Sequence, residues 1–368
     1  MSTKRVFILG AGFSKQAGMP LATELLPLIE NEFKKHTQDD ALAWLGWLKQ
    51  RIDWLEKSSP GKAGSINIEQ VFDLAYFDVM AWRLKHHTCK LGRNAGDVPW
   101  RASEDISAWL NHMEDDLRDI IWTRQKICQQ NAQTISEFVK HLRSDDVVLT
   151  FNYDTLLESC ISEQNIDWWY GFELERKKKG IAIFKMHGSI NWILAPRNKY
   201  ENFGYTLLFK KGDKNREEAN FPSGDIEWDY VLLRVPDTSI ATRIENRDLQ
   251  SSEKPYYLAI GGLGRYKPLD KISGLGKIWV NAMKSLREAE EIYIIGFSLS
   301  PFDNMARLCF AGAMCDRHGK KKPPPNITIV DPCDKDPTPN FQSVFGLYTP
   351  IKPLKKRAED VDWAKVLS

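Results

Sequence analysis

The sequence lacks three features that would assign it directly to a common class of protein. Its six cysteines form no Cys-x-x-Cys pair, which excludes a zinc ribbon and leaves no disulfide framework. No apolar stretch is long enough to span a membrane, and the run 6–9 is too short for a signal peptide. The net charge is only +2, so no overall field favours nucleic acid or an anionic membrane. Together these absences predict a cytoplasmic protein with no direct nucleic-acid motif.

The length and composition are those of an ordinary globular protein. The chain has 368 residues, of which 42% are hydrophobic and 27% are charged. This length suggests either one large domain with an insertion or two domains. Two local basic runs, 176–179 and 317–322, are interpreted as solvated faces rather than binding surfaces.

Short apolar runs alternate with segments of helical periodicity along much of the chain. Apolar, β-branched runs of this kind indicate strands buried on both faces of a parallel sheet. They predict strands at 6–9, 147–151, 181–186, 256–260, 292–295 and 327–330. We therefore predict an α/β fold, a doubly wound, mainly parallel Rossmann-like sheet with a helical insertion. The predicted division is 1–35 and 144–368 for the α/β domain and 36–143 for the insertion.

The predicted insertion is rich in tryptophan. Seven of the thirteen tryptophans fall between Trp44 and Trp122, and apolar residues there recur at helical spacing. We interpret them as the core of the insertion, with a partner or subunit interface as the alternative. A capping box at 134–137 predicts the start of a further helix. The polar stretch 195–253 predicts loops with short strands.

A glycine-rich turn follows the first predicted strand. Gly10 and Gly12 permit close approach of a pyrophosphate to the backbone, and Ser14 is a suitable N-cap for the following helix. The dehydrogenase fingerprint is incomplete, because Lys15 stands where its third glycine belongs and no acid ends a second strand about twenty residues later. The turn therefore predicts a dinucleotide site without indicating hydride transfer.

Small or polar residues follow five of the predicted strands. Ligands in open α/β sheets bind at the carboxyl ends of the strands, so the five turns are expected to share one site. The turns are Gly10–Ser14, Asn152–Asp154, His187–Ser189, Gly296–Leu299 and Asp331–Pro332.

Three side chains in these turns have the chemistry of a catalytic site. Asn152 and Asp154 alternate along an extended segment and could face the same way. His187 is followed by the small residues Gly188 and Ser189, which leave room for a ligand. Its imidazole suits proton transfer at neutral pH. We therefore interpret Asn152 and His187 as the catalytic candidates.

These turns, together with Ala17–Pro20 and Met186–Trp192, resemble the motifs of the sirtuin-like superfamily. More narrowly, the chain resembles the bacterial sirtuin-like NAD hydrolases of anti-phage defence, including the HerA-associated type. The resemblance implies cleavage of the nicotinamide–ribose bond of NAD+, with NAD+ as substrate and no metal. It also implies a homo-oligomer and a protein partner such as a HerA-like ATPase or a short Argonaute.

The resemblance also implies roles for individual residues. Asn152 positions the attacking water, His187 engages the ribose hydroxyls, and Asp154 binds the nicotinamide carboxamide. Ser298 contacts the phosphate side and Asp331 the adenosine ribose. The dinucleotide-binding set is Gly10, Ala11, Gly12, Phe13, Ser14, Met19, Pro20, Asp154, Gly296, Ser298 and Asp331.

The sequence departs from the deacylating sirtuins in three places. Pro20 is followed by Leu21-Ala22-Thr23, where deacylating sirtuins have Asp-Phe-Arg. Phe151 stands in place of a glutamine, and the four-cysteine zinc module is missing. These departures make an acyl-lysine substrate a weaker hypothesis than NAD+ hydrolysis. Two alternatives stay open: a subunit that senses NAD or ADP-ribose without turnover, and an NAD-dependent protein deacylase.

Overall fold

The structure is a computed structural model of the chain. It describes residues 4–35, 39–58, 68, 70–75, 103–171, 180–196, 230–234, 257–258, 273–300, 303–332, 338–346 and 349–367. Most of the stretch 195–253, together with Val79 and Trp82 of the tryptophan-rich segment, lies outside them.

Ten strands form two sheets within the described residues. Seven make one sheet in the order β10-β9-β8-β1-β2-β4-β3, and every pair in it is parallel. Three make an antiparallel sheet in the order β6-β5-β7. The strands are β1 (Arg5–Leu9), β2 (Val147–Thr150), β3 (Trp168–Tyr170), β4 (Ile181–Lys185), β5 (Trp192–Pro196), β6 (Tyr230–Arg234), β7 (Tyr257–Leu258), β8 (Glu291–Ile295), β9 (Asn326–Val330) and β10 (Ile351–Leu354).

The sheet order is that of a doubly wound fold, which confirms the predicted fold class. The chain begins in the centre at β1, adds β2, β4 and β3 on one side, and then crosses to β8 on the other. The sheet core is apolar because β1, β4 and β8 bury nearly all of their side chains. The topological switch point, where such folds bind ligands, therefore lies between β1 and β8.

The described helices follow the predicted alternation with the strands. They are α1 (Ala11–Lys15), α2 (Ala22–Phe33), α3 (Asp39–Ser58), α4 (Ser103–Cys128), α5 (Gln133–Val139), α6 (Leu156–Glu163), α7 (Ser273–Glu288), α8 (Asn304–Gly319), α9 (Thr338–Phe345) and α10 (Trp363–Val366). Residues 68 and 70–75 are also helical. One face of α7 is apolar, since Ile278, Ala282 and Leu286 are fully buried.

Two predicted helix starts are wrong. Ser14 is not an N-cap, because α1 begins at Ala11 with Gly10 in the capping position. Thr134 is likewise inside α5, whose N-cap is Ala132. In both cases the chain becomes helical before the hydrogen-bonding residue, because tertiary contacts set the start of a short helix more strongly than its capping side chain does.

The chain divides into two compact units. The first comprises Met1–Met19, Arg124–Ala259 and Leu269–Ser368, and the second comprises Pro20–Thr123 and Ile260–Pro268. The domain bounds predicted from the sequence differ from these and stay a prediction. No helix among the described residues is both long and apolar enough to cross a bilayer.

The second unit has an apolar core of its own. Trp44, Leu48 and Ile52 of α3 are buried, as the helical spacing predicted. The ring of Trp44 lies 5.6 Å from that of Trp109. Trp54 of the same helix is 68% exposed, so the tryptophans do not all contribute to the core. A partner interface on this helix stays a prediction.

A buried ion pair holds the amino end of β1. The Arg5 guanidinium donates to both carboxylate oxygens of Asp146, at 2.9 and 2.5 Å, and both side chains are almost fully buried. Arg5 also donates to the carbonyls of His141 and Leu367. The pair therefore ties the central strand to the turn before β2 and to the carboxyl-terminal segment.

We expect Asp146→Asn to destabilise the first unit by about 3 kcal/mol, since it leaves a buried arginine without its counter-charge. Chemical denaturation monitored by circular dichroism measures the loss. The matched control is Glu288→Gln, which breaks the exposed pair with Lys4 at 3.0 Å and should cost less than about 1 kcal/mol. Equal losses in the two variants would contradict the importance assigned to the buried pair.

Candidate active site

The carboxyl ends of five neighbouring strands lie level with one another. Leu9 pairs with both Thr150 and Ile295, which places the ends of β1, β2 and β8 side by side. The same register continues to Lys185 of β4 and Val330 of β9. The five turns that the sequence predicted to share one site therefore begin at a common edge of the sheet.

The turns after β1 and β8 are in direct backbone contact at the switch point. Gly12 donates its N–H to the carbonyl of Gly296 at 2.9 Å, and Gly10 donates to Ile295 at 3.1 Å. A Cβ at Gly10 would lie 2.5 Å from the carbonyl oxygen of Gly296, and one at Gly12 would lie 2.8 Å from its Cα. Gly296 itself has a φ of +59°, which favours glycine.

This contact explains the three glycines without a ligand. Each is required where two backbones approach more closely than any side chain allows. The N–H groups of Gly10, Gly12 and Phe13 all donate within the protein. The binding of a pyrophosphate by this turn therefore stays a prediction, and the glycines alone do not support it.

We expect Gly10→Ala to destabilise the first unit by about 1–3 kcal/mol, because its methyl group would overlap backbone atoms that have no room to move. Thermal unfolding followed by circular dichroism checks this. The control is Gly46→Ala in the middle of α3, where an added Cβ meets nothing within 4 Å. That variant should be stabilised by about 1 kcal/mol. An unchanged unfolding temperature in Gly10→Ala would show that the two turns can separate.

Asn152, Ser14 and Asp154 form a buried polar cluster between β1 and β2. The Asn152 Nδ2 donates to the Ser14 hydroxyl at 3.0 Å, and Ser14 also hydrogen-bonds the Asp154 carboxyl. All three residues are buried. With the amide oriented in this way, Asn152 Oδ1 has no hydrogen-bond partner among the described residues. The cluster brings together three residues that the sequence placed in the site and leaves one buried acceptor for a ligand or water.

Asp154 lies above a second buried polar cluster that sequence reasoning missed. Lys185, fully buried at the end of β4, contacts Glu158 at 3.1 Å and donates to the backbone carbonyl of Asp154. Tyr170 donates to Glu158 at 3.0 Å and accepts from Asn191 at 3.2 Å. A lysine at the end of an otherwise apolar strand was the one available signal, since lysine is almost never buried without a partner.

Burial raises the pKa of the Asp154 carboxyl above its ordinary value, because the charged form loses its hydration. The Lys185 ammonium opposes this shift, and the Glu158 carboxylate reinforces it. The folded protein therefore holds a proton on Asp154 at a pH where the unfolded chain has released it. The stability from this group is present below the unfolded value of 3.8 and is lost as pH rises through the folded pKa.

We expect Asp154→Asn to remove the loss of folding stability with rising pH, because the amide keeps the shape of the acid without its charge. The unfolding midpoint of the variant relative to the parent should rise as pH increases from about 4 to about 8. Guanidinium denaturation at a series of pH values measures it. The exposed Asp360→Asn variant is the control for the removal of one carboxyl. A constant difference across this range would contradict the raised pKa.

His187 lies in the turn after β4 and is enclosed by aromatic rings and one acid. Its Nε2 is 3.2 Å from Oδ2 of Asp303, and both side chains are 3% exposed. The Phe151 ring meets the imidazole edge to face at 4.9 Å and stacks on Phe297 at 4.2 Å. Asp303 was not among the site residues predicted from the sequence.

The turn after β4 is hydrogen-bonded to the turn after β2. Ile190 donates its N–H to the carbonyl of Tyr153 at 3.0 Å, and the Ser189 hydroxyl donates to the same carbonyl at 3.4 Å. His187 and Asn152 are therefore carried by turns that are held together through Tyr153.

The other predicted site residues lie in different surroundings. Phe13 is buried against Phe138 at 5.2 Å, so its ring belongs to the core. Met19 is also buried, Ala11 is half-buried, and Pro20 begins the second unit. Ser298 is exposed and its carbonyl accepts from Asn340. Asp331 is half-buried, with its N–H bonded to Leu354. The roles assigned to these residues stay predictions.

One curated protein matches half of the chain. It is the extracellular metalloproteinase mep of Aspergillus flavus, 26% identical over 195 residues, or 52% of this chain and 26% of that protein. The chain thus spans about a quarter of the length of this curated relative. Within the described residues, no group of three or more His, Cys, Asp or Glu side chains is arranged to hold a metal ion.

Solved Sir2 structures align over nearly the whole chain at low similarity. A triple mutant of a Sir2 homologue with 2'-O-acetyl ADP ribose is 13% identical, with a TM-score of 0.39, covering 100% of this chain and 91% of that one. A Sir2 homologue in complex with NAD is also 13% identical, with a TM-score of 0.37, covering 100% and 92%. The sheet order and register establish the fold of this chain independently of these alignments.

One family model matches the segment that carries the site residues Asn152, Asp154 and His187. It is the SIR2-like domain, matched over residues 146–217. The segment begins at Asp146 beside β2 and includes β4 with the turn that follows it. Residues 146–217 are therefore similar to a SIR2-like domain, which supports the sirtuin-like resemblance of the motifs.

Proposed function

We propose that the chain is an NAD+ hydrolase that cleaves the nicotinamide–ribose bond to give nicotinamide and ADP-ribose. The observation that carries the proposal is the buried cluster of Ser14, Asn152 and Asp154 at the carboxyl edge of the sheet. Ser14 belongs to the helix that begins at the glycine contact, which lies at the switch point, where doubly wound folds bind dinucleotides. The match of residues 146–217 to a SIR2-like domain supports NAD+ as the ligand.

The reaction asks little of the protein. Cleavage passes through an oxocarbenium-like state, as in glycoside hydrolysis. The C1'–N bond breaks with its electron pair going to the nicotinamide ring, which leaves neutral, so no general acid is needed. Water adds to C1' and gives up one proton. The site must hold the ribose, orient the water and accept that proton.

Each of these tasks has a candidate residue. The Oδ1 of Asn152, without a partner among the described residues, is suited to accept a hydrogen bond from the attacking water. Asp154 is the candidate for the nicotinamide carboxamide, as the resemblance implies, and burial raises the pKa of its carboxyl. His187 accepts the proton released by water, directly or through a ribose hydroxyl.

Hydrolysis is favoured over deacylation by the residue before Asn152. Phe151 occupies the position of a glutamine in the deacylating sirtuins that the motifs resemble. Its ring packs between His187 and Phe297, where an apolar side chain offers no hydrogen bond to a polar substrate group. NAD+ cleavage by water needs fewer parts than deacylation does.

The biological setting is proposed from the resemblance alone. It is that of an effector in a bacterial anti-phage system, which destroys NAD+ in infected cells (abortive infection). A destructive enzyme requires a trigger, so we propose a homo-oligomer with a protein partner such as a HerA-like ATPase or a short Argonaute. Light scattering during size exclusion, with and without the partner, tests this; a monomer in both cases would contradict it.

Incubation of the purified protein with NAD+ alone, followed by chromatography of nicotinamide and ADP-ribose, tests the proposed function. A hydrolase releases both products without a peptide. A deacylase releases nicotinamide rapidly only when an acyl-lysine peptide is added. A sensor binds NAD+ or ADP-ribose in calorimetry and releases nothing, including in the presence of the partner, which would contradict the proposal.

We expect Asn152→Ala and His187→Ala each to reduce nicotinamide release by about 10²-fold or more, because each removes a group that positions water or accepts its proton. Product release by a folded variant is the measurement. Asn326→Ala and His318→Ala are matched controls, since both residues are exposed and Asn326 begins β9 at the opposite edge of the sheet. Full turnover by a folded Asn152→Ala variant would exclude its catalytic role.

A further inference from the structure

We propose that Asp303 is the positioning residue of His187: its carboxylate holds the imidazole in place and stabilises the positive charge that the ring acquires when it accepts a proton. The proposal rests on the proposed function, since it assigns a partner to the proton acceptor of that reaction. It is carried by the geometry of the two side chains and by the chemistry that an acid beside a buried imidazole supplies.

The two residues come from turns on different strands. His187 follows β4, and Asp303 precedes α8 after β8. Their Nε2 and Oδ2 atoms are 3.2 Å apart, with both side chains 3% exposed. At this distance and burial, water screens the carboxylate poorly, so its field acts on the imidazole more strongly than in a surface pair.

The two oxygens of Asp303 have different partners. Oδ1 accepts the N–H of Ala306 at 3.1 Å and so caps α8. Oδ2 faces His187. The cap restrains the direction of the carboxyl group, because the hydrogen bond from Ala306 holds one of its two oxygens at the start of the helix. The helix thereby determines where the negative charge lies relative to the imidazole.

The imidazole is restrained on its other sides by aromatic rings. Phe151 meets it edge to face at 4.9 Å, and the ring of Tyr153 lies 6.4 Å away. Cys309 also lies close enough to Asp303 to feel its charge, and burial together with Asp303 raises the pKa of its thiol to about 12. Near neutral pH the thiol therefore stays protonated and adds no charge beside the pair.

The proton balance of the reaction gives this charge a role. When water adds to C1' of the ribose, one O–H bond breaks and its proton passes to the ring nitrogen of His187 that does not face Asp303. The imidazole becomes a cation inside a buried site, which is costly without a counter-charge. The carboxylate of Asp303 supplies that charge before the reaction begins, and the proton is later released to solvent.

Asp303→Asn tests the charge separately from the cap, since asparagine caps helices as well as aspartate does. The matched control is Asp362→Asn, another aspartate N-cap that accepts from Lys365 and lies on the exposed face of α10. Two measurements are made on each protein: the steady-state rate of nicotinamide release across a pH series, and the titration of the His187 ring protons by nuclear magnetic resonance.

We expect Asp303→Asn to lower kcat by about 100-fold with little change in KM. The acidic limb of its pH–rate profile and the midpoint of the His187 titration should both move to lower pH by about one unit or more, because the imidazolium has lost its counter-charge. Asp362→Asn should match the parent in both measurements. If Asp303 acted through packing alone, Asp303→Asn would have a lower unfolding temperature. The midpoint of the His187 titration and the acidic limb of the pH–rate profile would then stay unchanged.

The two measurements separate the failure of this inference from that of the proposed function. An unchanged midpoint and an unchanged kcat in Asp303→Asn would overturn the inference while the hydrolase survives. A shifted midpoint in a protein that releases no nicotinamide under any condition, with or without its partner, would overturn the proposed function and with it the catalytic role of Asp303. The electrostatic pairing of the two residues would then stand by itself.

Discussion

The backbone contact between the turns after β1 and β8 is the constraint on which the candidate site depends. The Cβ distances at Gly10, Gly12 and Gly296 show that neither turn can carry a side chain there, and the hydrogen bond from Gly12 to Gly296 closes the contact. Because β1 is central, this contact determines where α1 begins and therefore where Ser14 meets Asn152. The glycine-rich turn therefore has a structural role in the site, which is to allow two strand ends to meet, and this role does not depend on phosphate binding.

A second constraint is the charge buried behind the site. Lys185, Glu158 and Asp154 would carry a net charge of −1 if all three were ionised, in a place that water does not reach. Burial raises the pKa of Asp154, since a neutral acid costs less to bury than a carboxylate. A protonated carboxyl both donates and accepts a hydrogen bond. A carboxamide such as that of nicotinamide does the same, so the direction of the pKa shift favours the form of Asp154 that matches its proposed role.

Much of the fold could be predicted from the sequence, because parallel strands buried on both faces read as short apolar runs. The carboxyl edge followed from the same reasoning, since parallel strands present their turns on one side. What could not be predicted depends on contacts between distant segments. Asp303 was not predicted as a site residue, and Ser14 was predicted as an N-cap in the glycine-rich turn; the fold brings them to His187 and Asn152. The reason why Gly10 and Gly12 must be glycine could not be predicted either, because the backbone that they contact, at Gly296, is almost 290 residues away along the chain.

The pair of His187 and Asp303 has a geometric consequence beyond its charge. β4 and β8 are separated in the sheet by β2 and β1, so three strand spacings, about 14 Å, lie between their ends. Side chains that approach to 3.2 Å must therefore bridge the width of both intervening strands. Phe151, which follows β2, contacts both His187 and Phe297, and so lies between residues that follow β4 and β8. The contact between His187 and Asp303 joins residues that follow these two separated strands, and in the proposed reaction the position of the proton acceptor depends on that same carboxylate.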